Sequence, residues 1–401
     1  MSIILPVYNG SRFLASALET VRAQTFAGWE LIVVDDGSVD DTAAQLDQMP
    51  PDDRWHIIHQ ANLGLAAARN RGLAAAVGEY AAFLDVDDEW HPSYLAQMCA
   101  ALDGAPEAVA ACAGWQYVDE GGGRLPQTMR LSPELLAQLA EELPWRNAIL
   151  PSALVARRSV VREVGGFDEQ LRACEDWDLW LRLLAVGPFV AVPQVLMGYR
   201  VHSSSMTENV AGIERERLKV NAKHLGSLDA PLPDWPLIRR QAVGFTYFNS
   251  ALNYLRQHEL ARGREKILQA VYFWPGLLTQ DEFYYELGCA FQPRGVRGSS
   301  TQLDLPASEQ LIRAAVFEWL DPTQPAFKPQ RAWLQANLVL ARVARSSGDQ
   351  RAARRYAWRT IHRGSLRQRW QAMRIWAHSF WSGEHRASPA ITAGPLPDGR
   401  L

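Results

Sequence analysis

Short apolar runs alternate with helix-like periodicity over the first two hundred positions of the chain. Residues 2–7 are an apolar, β-branched run, and residues 31–34 form a second run that ends in aspartates. Between them, five apolar residues recur at the spacing of one helix face: Phe13, Leu14, Ala17, Leu18 and Val21. This order predicts a βαβ unit in a mostly parallel sheet that is covered on both faces. Because such strands end at one edge, we expect Tyr8, Asp36 and Asp85 to emerge there together.

Similar patterns continue along the rest of this half. Apolar runs predict strands, and 3.6-residue periodicity predicts helices. The expected strands are 56–58, 80–84, 108–115, 152–156, 187–193 and 195–201, and the expected helices are 63–76 and 175–185. Three glycines at 121–123 indicate a flexible loop beside the cleft.

Strand signals stop near residue 210, and long helical patterns replace them. We therefore predict an α/β domain over residues 1–210 and an all-α domain over residues 211–386. Within the second domain, 252–275 and 338–365 each resemble a helical hairpin of the tetratricopeptide kind, and a generic helical bundle is equally compatible. Residues 387–401 hold three prolines and two glycines with little to bury, so we expect disorder there.

Composition supports a two-domain soluble protein. At 401 residues the chain exceeds the size that a single core reaches, and 48% hydrophobic with 21% charged residues is typical of globular proteins. The start of the chain shows no basic leader, and no apolar run reaches about 18 residues, so we expect a cytosolic location. Four isolated cysteines predict neither a disulfide framework nor a zinc site.

The net charge of −3 conceals an asymmetry between the two ends. Residues 342–386 hold eleven arginines against only Asp349 and Glu384, which leaves 30 basic and 42 acidic residues elsewhere. Tryptophans interleave with these arginines. Such a surface suits anionic lipid headgroups, which predicts a peripheral contact with the inner face of a membrane. A helical domain with an aromatic core and solvated arginines is the alternative, and no nucleic-acid motif is present.

The run from Phe83 to Asp88 carries the chemistry. An apolar strand that ends in three carboxylates within four residues presents hard oxygen ligands, and a divalent cation with substrate phosphates would relieve their repulsion. A solvated loop is the alternative for this run alone. Tyr8 lies just past another strand end, where its ring could stack on a nucleobase while Pro6 fixes the backbone beside it.

Several segments in order resemble family 2 glycosyltransferases of the GT-A fold, and the resemblance covers residues 2–207. The matching segments are 3–9 (IILPVYN), 24–25 (QT), 29–38 (WELIVVDDGS), 62–64 (NLG), 68–70 (ARN), 84–88 (LDVDD), 165–169 (GGFDE), 175–182 (EDWDLWLR) and 199–202 (YRVH). The family's fold implies a nucleotide-sugar-binding α/β domain. Its activity implies an inverting, metal-dependent transferase that takes a sugar from a nucleotide donor.

The resemblance also implies a donor site. In the family the segment with Tyr8 packs on the base, and the aspartate at the position of Asp36 accepts a hydrogen bond from uracil, which favours a UDP-linked donor. Turn and cap chemistry is the alternative for Asp35, Asp36 and Ser38, and both roles can hold together. Arg69 alone would be a surface residue. By resemblance it reaches the nucleotide side of the cleft, whose wall Asn62 and Gly64 shape.

Metal and base positions follow from the same resemblance. Asp85 lies near the ribose and the metal within a DXD motif, Asp87 is the principal metal ligand, Asp88 is an auxiliary, and His202 reaches the metal or diphosphate. Imidazole suits Mn²⁺ better than Mg²⁺, so we favour manganese.

Of the Glu175-Asp176 pair, Asp176 is implied as the base, although acidic residues in a first helical turn also suit the helix dipole. We expect Glu175 and Trp177 to contact the acceptor, and the alternative for Trp177 is a core position.

These features predict transfer from a UDP-linked sugar to a glycan or lipid-linked acceptor in bacterial surface polysaccharide synthesis. The alternative is a nucleotide-binding scaffold without turnover, whose helical domain binds a partner. The Asp85, Asp87 and Asp176 set argues against it, because a binder needs no base. A dinucleotide-dependent oxidoreductase is rejected, since the first strand is followed by Pro-Val-Tyr-Asn-Gly and not by a Gly-X-Gly-X-X-Gly turn.

Overall fold

The computed structural model describes residues 1–50, 52–229, 232–300, 302–320, 328–361 and 364–381. The tail predicted at 387–401 therefore lies outside the described residues. Two compact units divide the chain. The first comprises residues 1–205 and 215–224, and the second comprises residues 206–214 and the described residues from Leu225 to Trp381.

A mixed sheet forms the centre of the first unit. Its strands are β1 Ser2–Val7, β2 Glu30–Asp35, β3 Trp55–His59, β4 Tyr80–Phe83, β5 Glu89–Trp90, β6 Ala110–Val118, β7 Arg124–Met129, β8 Leu154–Arg157 and β9 Phe189–Arg200. They lie in the order β3-β2-β1-β4-β8-β6-β9-β5, and β7 pairs with β6. β3, β2, β1 and β4 run parallel to one another, whereas β8 is antiparallel to both β4 and β6. The predicted α/β class with a mixed sheet is confirmed.

Helices cover this sheet because their apolar stripes face it. They are α1 Ser11–Arg22, α2 Thr42–Asp47, α3 Leu65–Ala75, α4 Tyr94–Asp103, α5 Pro133–Glu142, α6 Arg158–Glu163 and α7 Glu175–Leu184. Every residue of β1 is buried, and the five apolar residues predicted to share one face of α1 are buried as well. A further helix, α8 Val210–Leu225, supplies residues 215–224 to this unit.

Two details differ from the sequence expectations. The last two predicted strands form one strand, β9. Its register against β6 shifts between Ala113 and Gly114, so that Pro193 and Gln194 have no partner residue in β6. Proline has no N–H for a ladder bond, which explains the interruption. The glycines at 121–123 belong to the turn between β6 and β7, where the carboxylate of Asp119 accepts from the N–H of Gly121 (2.9 Å) and of Gly123 (2.7 Å).

The second unit is helical throughout its described part. After the last residues of α8 come α9 Leu237–Arg256, α10 Leu260–Phe273, α11 Asp281–Gly288, α12 Leu305–Ala314, α13 Pro329–Ser346, α14 Gln350–Ile361 and α15 Leu366–Trp381. The segments predicted as helical hairpins fall in the pairs α9–α10 and α13–α14. Within each pair the two helices pack against one another. Among the described residues, no helix combines the length and apolar character that a membrane crossing requires.

Candidate active site

The carboxyl ends of β2, β1 and β4 meet at one edge of the sheet and bring the predicted residues together. The N–H of Asp36 donates to the carbonyl of Val7 (2.9 Å), so Asp36 and Tyr8 leave adjacent strands side by side. The N–H of Leu84 donates to the carbonyl of Ile4 (2.9 Å), which places Asp85 on the other side of β1. Pro6 is buried within β1, and half of the Tyr8 surface is exposed. An aromatic face is therefore available at this edge.

Asp36 forms hydrogen bonds to the loop that precedes α3. Its buried carboxylate accepts from the side chain of Gln60 (2.8 Å) and from the N–H groups of Leu63 (2.9 Å) and Gly64 (2.8 Å). Gly64 has φ +100°, a conformation that favours glycine, and it opens α3. A carboxylate offers about four acceptor positions, so Asp36 retains capacity for one more donor. Asn62 is exposed on the same loop.

Asp35 stabilises a turn, which is the alternative that the sequence analysis gave for this residue. One carboxylate oxygen accepts from the N–H of Ser38 (3.0 Å), and the other lies 2.9 Å from Nδ1 of His59. Burial raises the pKa of Asp35, but the hydrogen bonds from Ser38 and His59 outweigh it and hold that pKa below its usual value. The two adjacent aspartates therefore both stabilise turns.

Arg69 links the acidic run after β4 to the helix that carries the predicted base. It lies on α3 and is only 1% exposed, so the interpretation of an isolated surface arginine is wrong. Its guanidinium pairs with the carboxylates of Asp85 and Glu175. Burial alone would lower the pKa of Arg69, but Asp85 and Glu175 more than offset this and raise it. The arginine is a fixed cation between two groups of acids.

The remaining acids of the run after β4 face different partners. Asp88 is buried, and it accepts from the hydroxyl of Ser152 (2.6 Å) and the N–H of Arg200 (3.2 Å). Ser152 in turn accepts from the N–H of Asp85 (3.0 Å). Burial raises the pKa of Asp88, and the charges of Asp87 and Asp85 add to the effect. Asp88 therefore connects the acidic run to the protein interior.

Asp87 and His202 form a close pair beside the acidic run after β4. Oδ2 of Asp87 lies 2.9 Å from Nε2 of His202, and Nδ1 of His202 lies 2.8 Å from the hydroxyl of Ser204. The ring of Phe13 packs against the imidazole with a centroid distance of 4.8 Å. The described residues contain no group of three or more acidic, histidine or cysteine side chains arranged to hold a metal ion. Asp85 is instead engaged by Arg69.

This pair fits two protein ligands of a divalent ion. A carboxylate oxygen and an imidazole nitrogen are suitable donors for Mn²⁺, and ions of this class commonly complete their shell with water and substrate phosphate. The hydroxyl oxygen of Ser204 can accept a hydrogen bond from Nδ1–H, which would leave the Nε2 lone pair directed at an ion. The excess of negative charge around Asp85 and Asp88 also favours a cation nearby.

The predicted base lies at the start of α7. Oδ2 of Asp176 accepts from the side-chain amide of Asn147 (2.9 Å), and Oδ1 accepts from the N–H of Trp177 (2.7 Å). Burial raises the pKa of Asp176, and Arg69 opposes that shift. Burial likewise raises the pKa of Glu175 to about 7, although Arg69 is adjacent. The result is a carboxylate held in one orientation beside a buried acid.

Trp177 is buried in the core of the first unit and is not available to an acceptor. Its ring is 1% exposed, and its indole N–H donates to the carbonyl of Leu143 (2.7 Å). Trp180 is buried in the same core and donates to the carbonyl of Ile149 (3.2 Å). Core packing, the alternative given for Trp177, accounts for both positions.

Sequence patterns missed three side chains that organise the site. Asn147 orients Asp176, Ser152 joins Asp85 to Asp88, and the buried Arg200 donates from Nε to the carbonyl of Asp87 (2.8 Å). Arg200 belongs to a motif that the sequence singled out, so its position carried a signal. The Asn147 and Ser152 contacts bridge 29 and 64 positions of the chain, and no local pattern marks them.

Comparisons with known proteins identify related glycosyltransferases. Residues 2–165 match the family model described as Glycosyl transferase family 2. A glycosyltransferase of Nostoc is 32% identical over 225 residues, which cover 54% of this chain and 69% of that protein. The amylovoran biosynthesis glycosyltransferase AmsB of Erwinia amylovora is 29% identical over 214 residues, which cover 50% of this chain and 69% of AmsB.

Two further findings concern extent. The matches span only 36–37% of the length of three Rickettsia glycosyltransferases that are 26–28% identical to this chain. Among solved structures, the mannosyltransferase PcManGT of Pyrobaculum calidifontis, in complex with GDP-Man and Mn²⁺, is similar with a TM-score of 0.48 and 18% identity over 86% of each chain.

Proposed function

The chain belongs to glycosyl transferase family 2, and from that membership we propose that it transfers a sugar from a UDP-linked donor to a hydroxyl group of a glycan or lipid-linked acceptor. One observation carries the proposal. Arg69 pairs at once with Asp85 beside the donor cleft and with Glu175 beside the base, so a single buried cation joins the two halves of a transfer site. The similarity to AmsB supports surface polysaccharide synthesis as the setting.

The donor binds at the ends of β1, β2 and β4. Tyr8 stacks on the base with its exposed face, and Asp36 accepts from the base with its remaining acceptor position. The backbone of Gly64 forms the facing wall, together with Asn62. Asp85, held by Arg69, faces the ribose. These contacts select the nucleotide and leave the sugar to be chosen by other parts of the cleft.

Asp87 and His202 hold a divalent ion, Mn²⁺ in preference to Mg²⁺, because one of the two ligands is an imidazole. When bound, the ion neutralises negative charge that develops on the leaving diphosphate. Arg200 steadies the loop by donating to the carbonyl of Asp87. Ser204 keeps the imidazole in the orientation that a ligand needs.

Asp176 takes the proton from the acceptor hydroxyl as that oxygen attacks the anomeric carbon. The raised pKa of Asp176 makes it a stronger base than an exposed carboxylate, and the hydrogen bond from Asn147 favours its ionised form. One displacement inverts the anomeric configuration, so an α-linked donor yields a β-linked product. Glu175 is too deeply buried to reach a solvent-side acceptor, and its charge instead balances Arg69.

Calorimetric titration of UDP with and without Mn²⁺ tests this assignment in the wild type, Asp87→Asn and Asp176→Asn. We expect Mn²⁺-dependent binding that Asp87→Asn abolishes and Asp176→Asn retains. In a transfer assay with UDP-sugars, Asp176→Asn should lose about 10²- to 10⁴-fold in kcat, the usual contribution of a general base.

The possible outcomes separate the proposal from its rival. UDP binding without turnover of any sugar nucleotide, and without an effect of Asp176→Asn, would favour the nucleotide-binding scaffold. Absence of UDP binding under either metal condition would exclude a UDP-linked donor. If UDP binding by Asp87→Asn still depended on Mn²⁺, the assignment of Asp87 and His202 as metal ligands would be wrong.

The acceptor is proposed to reach the enzyme at the inner face of a membrane. A lipid-linked acceptor is anchored there, and the arginine-rich and tryptophan-rich end of the helical unit suits an anionic lipid surface. Binding to vesicles of anionic lipid is the direct measurement of this part.

A further inference from the structure

A cleft of about 220 Å³ opens between α13 and α15 in the helical unit. Its lining is dominated by basic and polar side chains: Arg342, Arg345, Gln371, Arg374, Ile375 and His378. Ile375 is buried and forms part of the helical core beneath the cleft. The cleft is therefore a depression with an apolar floor and a cationic rim.

The positive charge of this cleft exceeds its local compensation. Arg342 is held by the carboxylate of Asp281 (2.8 Å) and by the side-chain oxygen of Gln371 (3.3 Å). Within the described part of the chain, no carboxylate pairs with Arg345 or Arg374. A fixed guanidinium beside two without acidic partners is an arrangement that binds planar, multiply charged oxyanions, because each guanidinium offers a fork of N–H donors.

One face of α15 beside the cleft carries exposed apolar side chains. Trp370 is 58% exposed and Met373 is 48% exposed, and the guanidinium of Arg374 lies over the Trp370 ring at 4.8 Å. Arg374 and His378 follow Trp370 at four-residue spacing, so these three side chains share one face, and Met373 borders that face beside Trp370. Exposed tryptophan next to arginine is typical of segments that lie at the boundary between lipid headgroups and acyl chains.

We propose that the cleft between α13 and α15 binds the phosphate group of an anionic lipid headgroup, while Trp370 and Met373 enter the lipid interface beside it. Charge complementarity identifies the phosphate, and the adjacent exposed apolar pair identifies a lipid as its carrier. A soluble phosphate would use the arginines and have no need of Trp370 and Met373. The inference deepens the proposed function, since it gives the membrane contact a specific site.

Flotation of the full-length protein with vesicles tests the proposal. Vesicles of phosphatidylcholine alone are compared with vesicles that contain phosphatidylglycerol, at fixed ionic strength. The variant R345E/R374E changes the cleft, and R331E/R351E is the matched control, because Arg331 and Arg351 are exposed on α13 and α14 away from the cleft and the change in net charge is identical. A third variant, W370S/M373S, removes the apolar pair.

We expect the wild type to bind phosphatidylglycerol vesicles at least tenfold more strongly than neutral vesicles. R345E/R374E should lose at least tenfold, and R331E/R351E should lose less than threefold. W370S/M373S should weaken vesicle binding and leave calorimetric binding of inorganic pyrophosphate unchanged, since only the arginines contact the phosphate. Circular dichroism melting of each variant separates a lost site from a lost fold.

Three outcomes would overturn the inference. Equal losses in the two arginine variants would mean that general surface charge attracts the protein. Pyrophosphate binding that depends on Arg345 and Arg374, without any vesicle binding, would identify a soluble phosphate ligand. Failure of the wild type to prefer anionic vesicles would contradict the proposed lipid-binding site. None of these measurements requires sugar transfer, so their failure is distinguishable from failure of the proposed activity.

Discussion

The orientation of Asp176 depends on Asn147. The amide nitrogen of Asn147 donates to Oδ2 of Asp176 (2.9 Å), and the N–H of Ile149 donates to Oδ1 of Asn147 (3.2 Å), which fixes the direction of the amide. The N–H of Trp177 holds the other carboxylate oxygen. Because both oxygens are constrained, the lone pair that would accept the proton points in one direction.

Asn147→Ala should weaken transfer without removing donor binding. A hydrogen bond to a charged group contributes about 1.5–3 kcal/mol, so we expect kcat to fall roughly ten- to hundredfold, while the Kd for UDP stays within about twofold. The bond also lowers the pKa of Asp176, so its loss should move the acidic limb of the kcat profile to higher pH. The measurement is kcat against pH for the wild type, for Asn147→Ala and, as a control at an exposed position, for Glu141→Ala. An unmoved acidic limb would contradict the positioning role.

The elements that were predicted correctly are those whose pattern is decided locally. β1 and β2 are buried along nearly their full length, so an uninterrupted apolar run identified them. β7 was missed because its side chains are only partly buried or exposed and it pairs only with β6. The division of β9 at Pro193 followed a real break in the ladder, but pairing with β6 on both sides joins the halves, and only the partner strand reveals that.

α7 is anchored to α8 through one buried carboxylate. Asp178 is fully buried and accepts from Arg182 (2.7 Å), Lys223 (2.8 Å) and His224 (2.8 Å). Burial raises the pKa of Asp178, but the hydrogen bonds from His224 and Lys223 outweigh it and hold that pKa far below its ordinary value. A carboxyl whose folded pKa is depressed stabilises the fold above its unfolded pKa, and this contribution disappears as the pH falls through the folded value.

Asp178→Asn should therefore destabilise the first unit at neutral pH. Removing one partner of a fully buried pair costs about 3–5 kcal/mol, and the partly exposed cations reduce our expectation to about 2–3 kcal/mol. Urea unfolding at pH 7 and at decreasing pH measures it, and the difference from the wild type should shrink below the ordinary aspartate pKa of 3.8. Asp168→Asn, which removes a more exposed partner of Lys223, should cost less. A pH-independent difference would exclude the ionic cause.

At the scale of the whole molecule, sequence reasoning placed the strand-end residues correctly but could not pair them. Parallel strands end at one edge, so Tyr8, Asp36 and Asp85 were expected together. The link from Asp85 through Arg69 to Glu175 spans 106 positions between the arginine and the glutamate and exists only after folding. The metal assignment of Asp85, Asp87 and His202 stays a prediction, because the structure brings only the last two together.

The division of the chain offers a final test. The boundary predicted at residue 210 stays a prediction, and the structure assigns residues 215–224 of α8 to the first unit. Val220 is fully buried in the core of that unit, and Glu216, which is 1% exposed, accepts from the N–H of Arg172 (3.1 Å). A chain that ends at residue 210 would lose these contacts and both α8 partners of Asp178.

We expect a chain of residues 1–229 to unfold cooperatively and bind UDP, and a chain of residues 1–210 to be less stable by at least about 3 kcal/mol. Burial of one valine side chain alone contributes about 1.5–3 kcal/mol, and the loss of Lys223 and His224 as partners of the buried Asp178 adds to this. Urea unfolding of both chains, followed by far-ultraviolet circular dichroism, gives the comparison. A third chain of residues 1–229 with Val220→Ala should lie between them. Equal midpoints for the two lengths would mean that the α8 segment does not stabilise the α/β unit, and the boundary at residue 210 would then be sufficient.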